Sequence, residues 1–442
     1  MRKRSIKKFV PGLILLCAMQ AAPAQDIAKN AAMYYWKSIG LMQSPATPDQ
    51  LEVIEFIENE LPALPPRVLA PYPEALRALV SGRPMLAALE QASEYGPCAF
   101  GVYDNGGISP DLLHLPRMRD LTRRALATAK AYEFVDNQAG AGEIYANLLI
   151  MVQHLDQDHT LYSCAAAGEL MQIILGNLEG FISRQPSLAV FNKLSRVFRE
   201  APERILHPAD ALREERLRYT DWLLTDPDVA MDRLSALYGN REIKPAVDKL
   251  ITLDNPDKER KLRLWLNEYR DWMNQLAEAF EEPYAEGVPV IQRLDAQRAD
   301  ILKDETGGDN PLIPLLVPEC TELYQRLLLA EAHFDMADLL CLVGEYRAET
   351  QSWPDRLSDL TPMGFRLMPK DPFTGKWFYY KLSRGWPVLI VRIPKWMASR
   401  KQFLYEIDLR NRRADDDQLG ERTIKEIQKR RVRELSESVP ME

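Results

Sequence analysis

The sequence predicts a mainly α-helical protein in which a multi-helix domain of helical hairpins is followed by a small α+β module. Residues 28 to about 310 place apolar side chains at helical spacing in one segment after another. One long helical pattern then covers residues 314–350, and three short runs of β-branched and aromatic residues follow it. Because an apolar face must be covered by another element, the economical arrangement packs the long helix on a short antiparallel sheet.

The composition is that of a globular protein and argues against two functional classes. Of the 442 residues, 46% are hydrophobic and 27% are charged, and the net charge is −8. An acidic chain offers few of the clustered Lys and Arg side chains that bind phosphates, so nucleic acid is not expected as a partner. A mean hydropathy of −0.30 argues against a multispanning membrane protein.

Residues 1–24 are expected to be a signal peptide. Five basic residues open the chain before the apolar run 10–19, and Ala22-Pro23-Ala24 offers the small residues that signal peptidase recognises. A run of about ten apolar residues is too short for a hydrocarbon core that needs about twenty. The protein is therefore expected to be periplasmic or secreted after cleavage near Ala24, without stable membrane insertion.

Residues 25–310 form the predicted all-helical domain. Its clearest hairpin has apolar faces over 118–132 and 144–155, separated by a break at 136–140. Asp158 or Thr160 is placed to cap the next helix. That helix, over residues 161–182, is apolar nearly all round and is predicted to be buried at the centre. Further helices are expected near 187–200, 209–224 and 257–282.

Residues 311–409 form the predicted α+β module, and residues 410–442 a charged, partly disordered tail. The linker between the two domains is expected at 306–311, where Gly, Asn and Pro cluster. Polar residues along 314–350, including His333 beside Glu331 and Asp335, indicate an amphipathic helix with a solvated face. The expected strands are 377–382, 388–393 and 403–409, with a turn at 383–385 between the first two.

The segment 344–380 carries a resemblance to a known family. Its motifs are Glu345-Tyr346-Arg347-Ala348-Glu349, Trp353-Pro354-Asp355-Arg356-Leu357 and Asp371-Pro372-Phe373-Thr374-Gly375-Lys376. They resemble the globular part of type II secretion pseudopilins, in which a long helix leads through a Trp-Pro segment and an Asp-Pro turn into a sheet. The resemblance implies that Leu357 and Leu360 pack back on the long helix.

The whole chain also resembles large exported bacterial proteins of unassigned function that join a helical region to a pseudopilin-like tail. The matching positions are Cys98, Leu113-His114-Leu115 and Asp158-His159-Thr160-Leu161. This second resemblance implies export and the two-part architecture, and it implies no particular activity.

Four polar residues around the first clear hairpin are the candidate catalytic residues. His114 and His154 flank the hairpin, Arg117 lies one turn from His114, and Asp158 follows His154. Together with Asp104 in the loop 103–107 they could line a polar pocket, because functional residues often lie on loops of a rigid scaffold. The alternative is that His114 is a buried side chain with structural hydrogen bonds.

The histidines do not predict a metal site. His154 and His159 enclose Asp156 and Asp158, but on one helix these imidazoles would point about 140° apart. His207 precedes a proline at a predicted helix start and carries little signal. No cofactor is predicted, because no phosphate-binding or dinucleotide-binding motif occurs.

Four cysteines remain after residue 24, and Cys98 with Cys164 is the disulfide candidate in an oxidising compartment. The alternative is that both are buried free thiols. Cys320 and Cys341 would lie about 30 Å apart on one unbroken helix, too far to be bridged.

Aromatic side chains on the first predicted strand offer a binding surface. Residues 377–380 are Trp, Phe, Tyr and Tyr, and alternation along a strand sends two of these rings inward and two outward. The outward pair could stack on a sugar or on a protein, or could pack against a neighbouring element of the same chain.

The sequence favours an exported, non-catalytic helical scaffold that works through protein contacts in the cell envelope. A cell-envelope hydrolase that uses His114 and His154 is one alternative. A type II secretion accessory protein, whose C-terminal module docks with pseudopilins, is the other. The sequence does not predict the oligomeric state.

Overall fold

The computed structural model describes residues 29–42, 47, 54–55, 58, 65–101, 112–225, 255–303, 310, 312–363, 369–392 and 404–409. Four predicted features lie wholly or largely outside these residues: the signal peptide, the loop that contains Asp104, the linker 306–311 and the charged tail. The described part is mainly α-helical, as expected, with a small antiparallel sheet near its C-terminal end.

The helices of the described residues are given in two groups, before residue 226 and after residue 254. The first group comprises α1 (Ala31–Leu41), α2 (Pro73–Val80), α3 (Arg83–Ser93), α4 (His114–Phe134), α5 (Gln138–Asp156), α6 (Leu161–Ser183), α7 (Leu188–Glu200) and α8 (Pro208–Thr225). The second group comprises α9 (Asn255–Glu281), α10 (Tyr284–Lys303), α11 (Leu312–Leu316) and α12 (Thr321–Thr350). The predicted helices are therefore present, while α10 was missed because Pro289 lies inside it.

Local capping explains where the central helices begin. Asn137 accepts a hydrogen bond from the Gly140 N–H at the start of α5, and Thr160 accepts one from the Ser163 N–H at the start of α6. Thr160 is therefore the cap of α6, and the Asp158 side chain is left for other contacts. The α12 helix begins at Thr321, later than predicted, because Asp295 of α10 accepts hydrogen bonds from the Cys320 and Thr321 N–H groups.

The α12 helix lies in the core of the helical body, which corrects one sequence prediction. It packs along α6 and α7, and a Cβ atom added at Gly344 would lie 2.3 Å from the Phe191 ring. The main apolar cluster of the described residues includes side chains on both sides of residue 310, and a smaller cluster lies around Leu69 and Leu79. The predicted solvated face is wrong over much of α12, because neighbouring helices cover His333 and most residues around it.

The sheet follows α12 and contacts this helix through its second strand. Strands β1 (Tyr379–Ser383), β2 (Trp386–Arg392) and β3 (Leu404–Asp408) form an antiparallel sheet in that order. The predicted hairpin turn is confirmed, with both Arg384 and Gly385 at positive φ, the geometry of a type I′ turn. Between α12 and the sheet, Leu357 and Leu360 are buried in the common core, as the resemblance implied.

The order of helix, Trp-Pro segment, Asp-Pro turn and hairpin is therefore present in the structure. It differs from the expected module because α12 packs mainly against other helices and only slightly against the sheet. None of the helices within the described residues combines the length and apolar character needed to cross a bilayer.

Candidate functional site

His114 and Asp158 meet inside the helical body. His114 is the first residue of α4, and its Nε2 atom lies 2.6 Å from Oδ2 of Asp158 in the turn between α5 and α6. Only 3% and 2% of these two side chains are exposed. The separation is that of an ion pair, although the ring nitrogen is not aligned for a hydrogen bond. The separation leaves no room for a third group between the two side chains.

The remaining sides of this pair are covered by protein. The Phe100 ring stacks on the His114 imidazole with centroids 4.4 Å apart and planes 9° apart. The Ser163 hydroxyl, from the first turn of α6, donates a hydrogen bond of 3.0 Å to the same Asp158 oxygen. Asp158 thus holds the start of α4 against the start of α6.

His154 lies near His114 but has a separate partner. The Tyr35 hydroxyl of α1 lies 2.7 Å from Nδ1 of His154, and both side chains are buried. Desolvation by burial lowers the pKa of His154 to about 4, so the imidazole is neutral at neutral pH. The Tyr35 ring also stacks on Phe100, so aromatic rings fill the space between the two histidines.

Arg117 does not join the two histidines, which corrects the predicted grouping. Its side chain is 59% exposed and lies 3.7 Å from Asp120 on the same helix. Although residues three apart lie on the same side of a helix, the Arg117 side chain is exposed while that of His114 is buried. Of the four predicted catalytic residues, the structure pairs His114 with Asp158, places His154 on a separate partner and leaves Arg117 at the surface.

The candidate disulfide is also absent: Cys98 and Cys164 are both buried free thiols. Burial raises the pKa of the Cys98 thiol, which the Ala32 N–H approaches. Burial likewise raises the pKa of Cys164, whose thiol lies against the Asp156 carboxyl group. The two thiols have different neighbours, because Cys98 packs against α1 and Cys164 against the start of α8.

His207 carries little signal in the sequence. Among the described residues it is nevertheless the most exposed histidine that pairs with a carboxylate. Its Nδ1 atom lies 2.6 Å from Oδ2 of Asp156, and its backbone N–H donates to both oxygens of that carboxylate. The hydrogen bond to Asp156 raises the pKa of His207, whose side chain is 38% exposed. Within the described residues the nucleophilic side chain beside this pair is Cys164, which contacts Asp156, and burial raises the pKa of its thiol and so disfavours the reactive thiolate.

A third histidine–carboxylate pair joins α12 to α6. His333 Nε2 contacts Glu179 Oε1, and less than a tenth of either side chain is exposed. The sequence predicts a solvent-exposed His333, because the neighbouring Glu331 and Asp335 are acidic. Each of the three pairs connects distant parts of the chain, and all three hold packed segments together.

No arrangement of three His, Cys, Asp or Glu side chains suited to a metal ion occurs within the described residues. The Asp156, Asp158 and His154 side chains each face a different partner, as described above.

An open cavity lies instead beside the sheet. It has a volume of about 620 Å³ and is bounded by the segment after α12, the Asp-Pro turn and strands β1 and β2. Trp377 and Tyr379, which both line it, are 57% and 55% exposed. Phe378 is buried, and the Tyr380 hydroxyl donates to the Pro354 carbonyl oxygen, so the predicted alternation of inward and outward rings is confirmed.

A second depression, of about 770 Å³, runs between α4, α6 and α12. Its floor includes Gly168 and Leu327, and its rim carries the Arg119–Glu169 ion pair at 2.7 Å. The exposed Tyr162 ring also borders this depression. Apolar side chains at a partly charged rim are common where a protein surface meets another.

Comparison with protein-family models gives no match to this chain, and comparisons with curated proteins and with solved structures give none either. The function of this chain is therefore inferred from its own residues and their geometry.

Proposed function

We propose that this protein is a non-catalytic binding scaffold, exported to the cell envelope, whose helical body supports a contact surface near the C-terminal sheet. The observation that supports this proposal is the contrast between buried polar groups and exposed aromatic rings. His114 and Asp158 are almost fully enclosed, whereas Trp377 and Tyr379 border an open cavity. Chemistry on a substrate requires access to the reacting group, while binding requires exposed surface of this kind.

The alternative hydrolase receives less support from the geometry. A general base must come within hydrogen-bond distance of a substrate proton, and His114 is closed off by Phe100, Asp158 and the start of α6. Opening this region would have to displace the Phe100 ring, which also packs on Tyr35. His114 therefore fits a structural role better than a catalytic one.

The test replaces His114 with alanine and uses Arg117→Ala as the matched control on the same helix. Loss of a buried side chain leaves a cavity and strands the Asp158 charge, so we expect His114→Ala to lower stability by about 3 kcal/mol. The exposed Arg117 pair should contribute less than about 0.5 kcal/mol. The measurement is the free energy of unfolding of the full chain in urea.

The same variants are assayed for hydrolysis of ester, amide and glycoside substrates. A wild-type activity that His114→Ala abolishes without loss of stability would establish the hydrolase and overturn our proposal. No activity in the wild type, combined with destabilisation of His114→Ala, would support the scaffold.

The pseudopilin-like character of the C-terminal part belongs to the same proposal. It is supported by the order of α12, the buried Leu357 and Leu360, the Asp371 turn and the β1–β2 hairpin. Asp371 accepts a hydrogen bond from the Phe373 N–H, which fixes the turn before the sheet. A secretion accessory role would require this part to bind a pseudopilin, and titration of the full chain with purified pseudopilin globular domains tests it.

Export is the remaining part of the proposal and rests on the basic start, the short apolar run and the small residues at 22–24. Expression of the full chain in a bacterium, followed by fractionation and N-terminal sequencing, tests it. Recovery of an uncleaved chain from the cytoplasm would contradict this part and would leave the binding proposal standing.

A further inference from the structure

The cavity beside the sheet combines aromatic and basic side chains in an otherwise acidic protein. Residues 369–392 contain five basic residues and one acidic residue, whereas the whole chain has a net charge of −8. The one acidic residue, Asp371, is 3% exposed, and its carboxylate holds the Phe373 N–H and the Thr374 hydroxyl. The segment 353–363, which forms another wall of the cavity, adds Arg356 and the two acidic residues Asp355 and Asp359, so basic residues still outnumber acidic ones around the cavity.

The two exposed rings lie at the start of β1 and just before it. Trp377 forms an isolated bridge with Lys370, and Tyr379 is the first residue of β1. Both rings are exposed and line the same cavity, while Phe378 between them is buried. Ile390, the β2 partner of Tyr379 in the sheet register, also lines the cavity and adds an apolar floor next to the Tyr379 ring. Flat aromatic faces over an apolar floor are suited to the carbon-bound hydrogens of a pyranose ring.

Basic groups border these rings. Arg356 and Lys376 line the cavity, and the Lys370 ammonium group lies 5.8 Å from the centre of the Trp377 ring. Among the described residues, Arg356 has only the exposed pair with Asp359 at 3.5 Å, and no carboxylate pairs with Lys376. Lys and Arg beside an aromatic platform favour a ligand that carries carboxylate or sulfate groups.

We propose that the cavity beside β1 binds an acidic oligosaccharide, which stacks on Trp377 and Tyr379 and pairs its negative groups with Lys376 and Arg356. A volume of about 620 Å³ lies within the usual range of small-ligand sites, about 300–1,000 Å³. This inference rests on the proposed binding function, because it names the ligand class of that surface. An acidic peptide is the competing occupant, and the exposed Trp377 and Tyr379 rings beside the apolar Ile390 favour the sugar.

The experiment is calorimetric titration of the full chain with three probes: oligogalacturonate or sulfated oligosaccharides, a neutral galactose oligomer of equal length, and a glutamate hexapeptide. We expect the acidic sugars to bind at least about tenfold more tightly than the other two probes. The double variant Trp377→Ala/Tyr379→Ala should lose at least about tenfold in affinity for the acidic sugars. Lys376→Gln should weaken the acidic sugars and leave the neutral oligomer unchanged.

Tyr162→Ala is the matched control, because Tyr162 is an equally exposed tyrosine on the helical body. It should bind every probe as the wild type does. Thermal melting of each variant checks that the fold is retained, and both exposed rings are expected to be dispensable for it.

Three outcomes would overturn the proposal. The first is that no acidic sugar binds to the folded wild type. The second is that the neutral oligomer binds as tightly as the acidic ones. The third is that the glutamate peptide binds more tightly and depends on the same rings, which would identify a protein partner.

The failure of this site and the failure of the proposed function give different results. If an acidic sugar binds at the rings and is then cleaved, the non-catalytic function is wrong and the site stands. If no sugar binds while His114→Ala only destabilises the chain, the site is wrong and the scaffold proposal stands.

Discussion

The turn between α5 and α6 and the strand β1 both carry residues that suggest function, but the structure uses them in opposite ways. At the turn, Asp158 pairs with the buried His114 and Asp156 with the partly exposed His207, and an aromatic ring stacks on His114. On and before the strand, alternate rings enter the core and the others stay exposed beside a cavity. The types of residue present therefore did not show which region is accessible to a ligand. The α5–α6 turn is enclosed because helices pack around it, whereas the surface beside β1 is left open.

The largest expected effect distinguishes two adjacent residues just before β1. Phe378→Ala should lower the free energy of unfolding by about 4 kcal/mol, because its ring is buried in the common core. Trp377→Ala, one residue away, should change it by less than about 0.5 kcal/mol. Urea denaturation of both variants measures this difference, and equal losses would mean that the Trp377 ring is also part of the core.

The next effect concerns pH and the helical body. Desolvation by burial raises the pKa of Glu215 to about 7, while its carboxyl group accepts a hydrogen bond from the Leu161 N–H. A raised folded-state pKa stabilises the fold below the unfolded value near 4.5, and this stabilisation is lost as pH rises through 7. Stability should therefore fall by about 2–3 kcal/mol between pH 5 and pH 8 because of this group.

Glu215→Gln keeps the acceptor and removes the charge, so it should make the protein more stable at pH 8 and reduce the pH dependence. Glu281→Gln is the control, because hydrogen bonding to Arg213 lowers the pKa of that exposed carboxyl group. Unfolding curves at pH 5 and pH 8 give both values. A Glu215→Gln variant with the wild-type pH dependence would show that Glu215 is not the source.

A third effect tests whether α12 is truly enclosed. An alanine Cβ at Gly344 would meet the Phe191 ring at 2.3 Å, so Gly344→Ala should cost about 2 kcal/mol despite the better helix propensity of alanine. At Gly176, in α6, an added Cβ meets nothing within 4 Å. Gly176→Ala should therefore stabilise the protein by up to about 1 kcal/mol. Thermal unfolding compares the two, and stabilisation by both would contradict the packing of α12 on α7.

The smallest effect compares two tyrosine hydroxyl groups. Tyr35→Phe removes the buried partner of His154 Nδ1 and should cost about 1–2 kcal/mol. Tyr379→Phe removes an exposed hydroxyl group and should leave stability within about 0.5 kcal/mol. Chemical denaturation measures the free energy of unfolding of the two variants. If Tyr35→Phe leaves this free energy unchanged, His154 has found another donor.

Much of the helical body could be predicted from local patterns. The hairpin of α4 and α5, the Thr160 cap and the turn at Arg384 and Gly385 all follow from residues close in sequence. The alternation of Phe378 and Tyr379 also follows, because a strand sends neighbouring side chains to opposite faces. In each case the determining interactions lie within a few residues of one another.

The candidate site could not be predicted in the same way. His207 and Asp156 are 51 residues apart, and His333 and Glu179 are 154 apart, so their pairing depends on which helices pack together. The acidic residues of α12 predict a solvent-exposed helix face, since charged side chains are usually exposed. Helices on several sides instead enclose this part of α12, and each buried charge then requires a partner or a shifted pKa.

The sequence by itself therefore determined the helix and strand periods, the turns and the acidic composition. Only the tertiary structure decided that His114 and Asp158 are enclosed while Trp377 and Tyr379 remain open to solvent. The physical reason is that periodicity depends on neighbours along the chain, whereas exposure depends on elements that pack from far away in sequence.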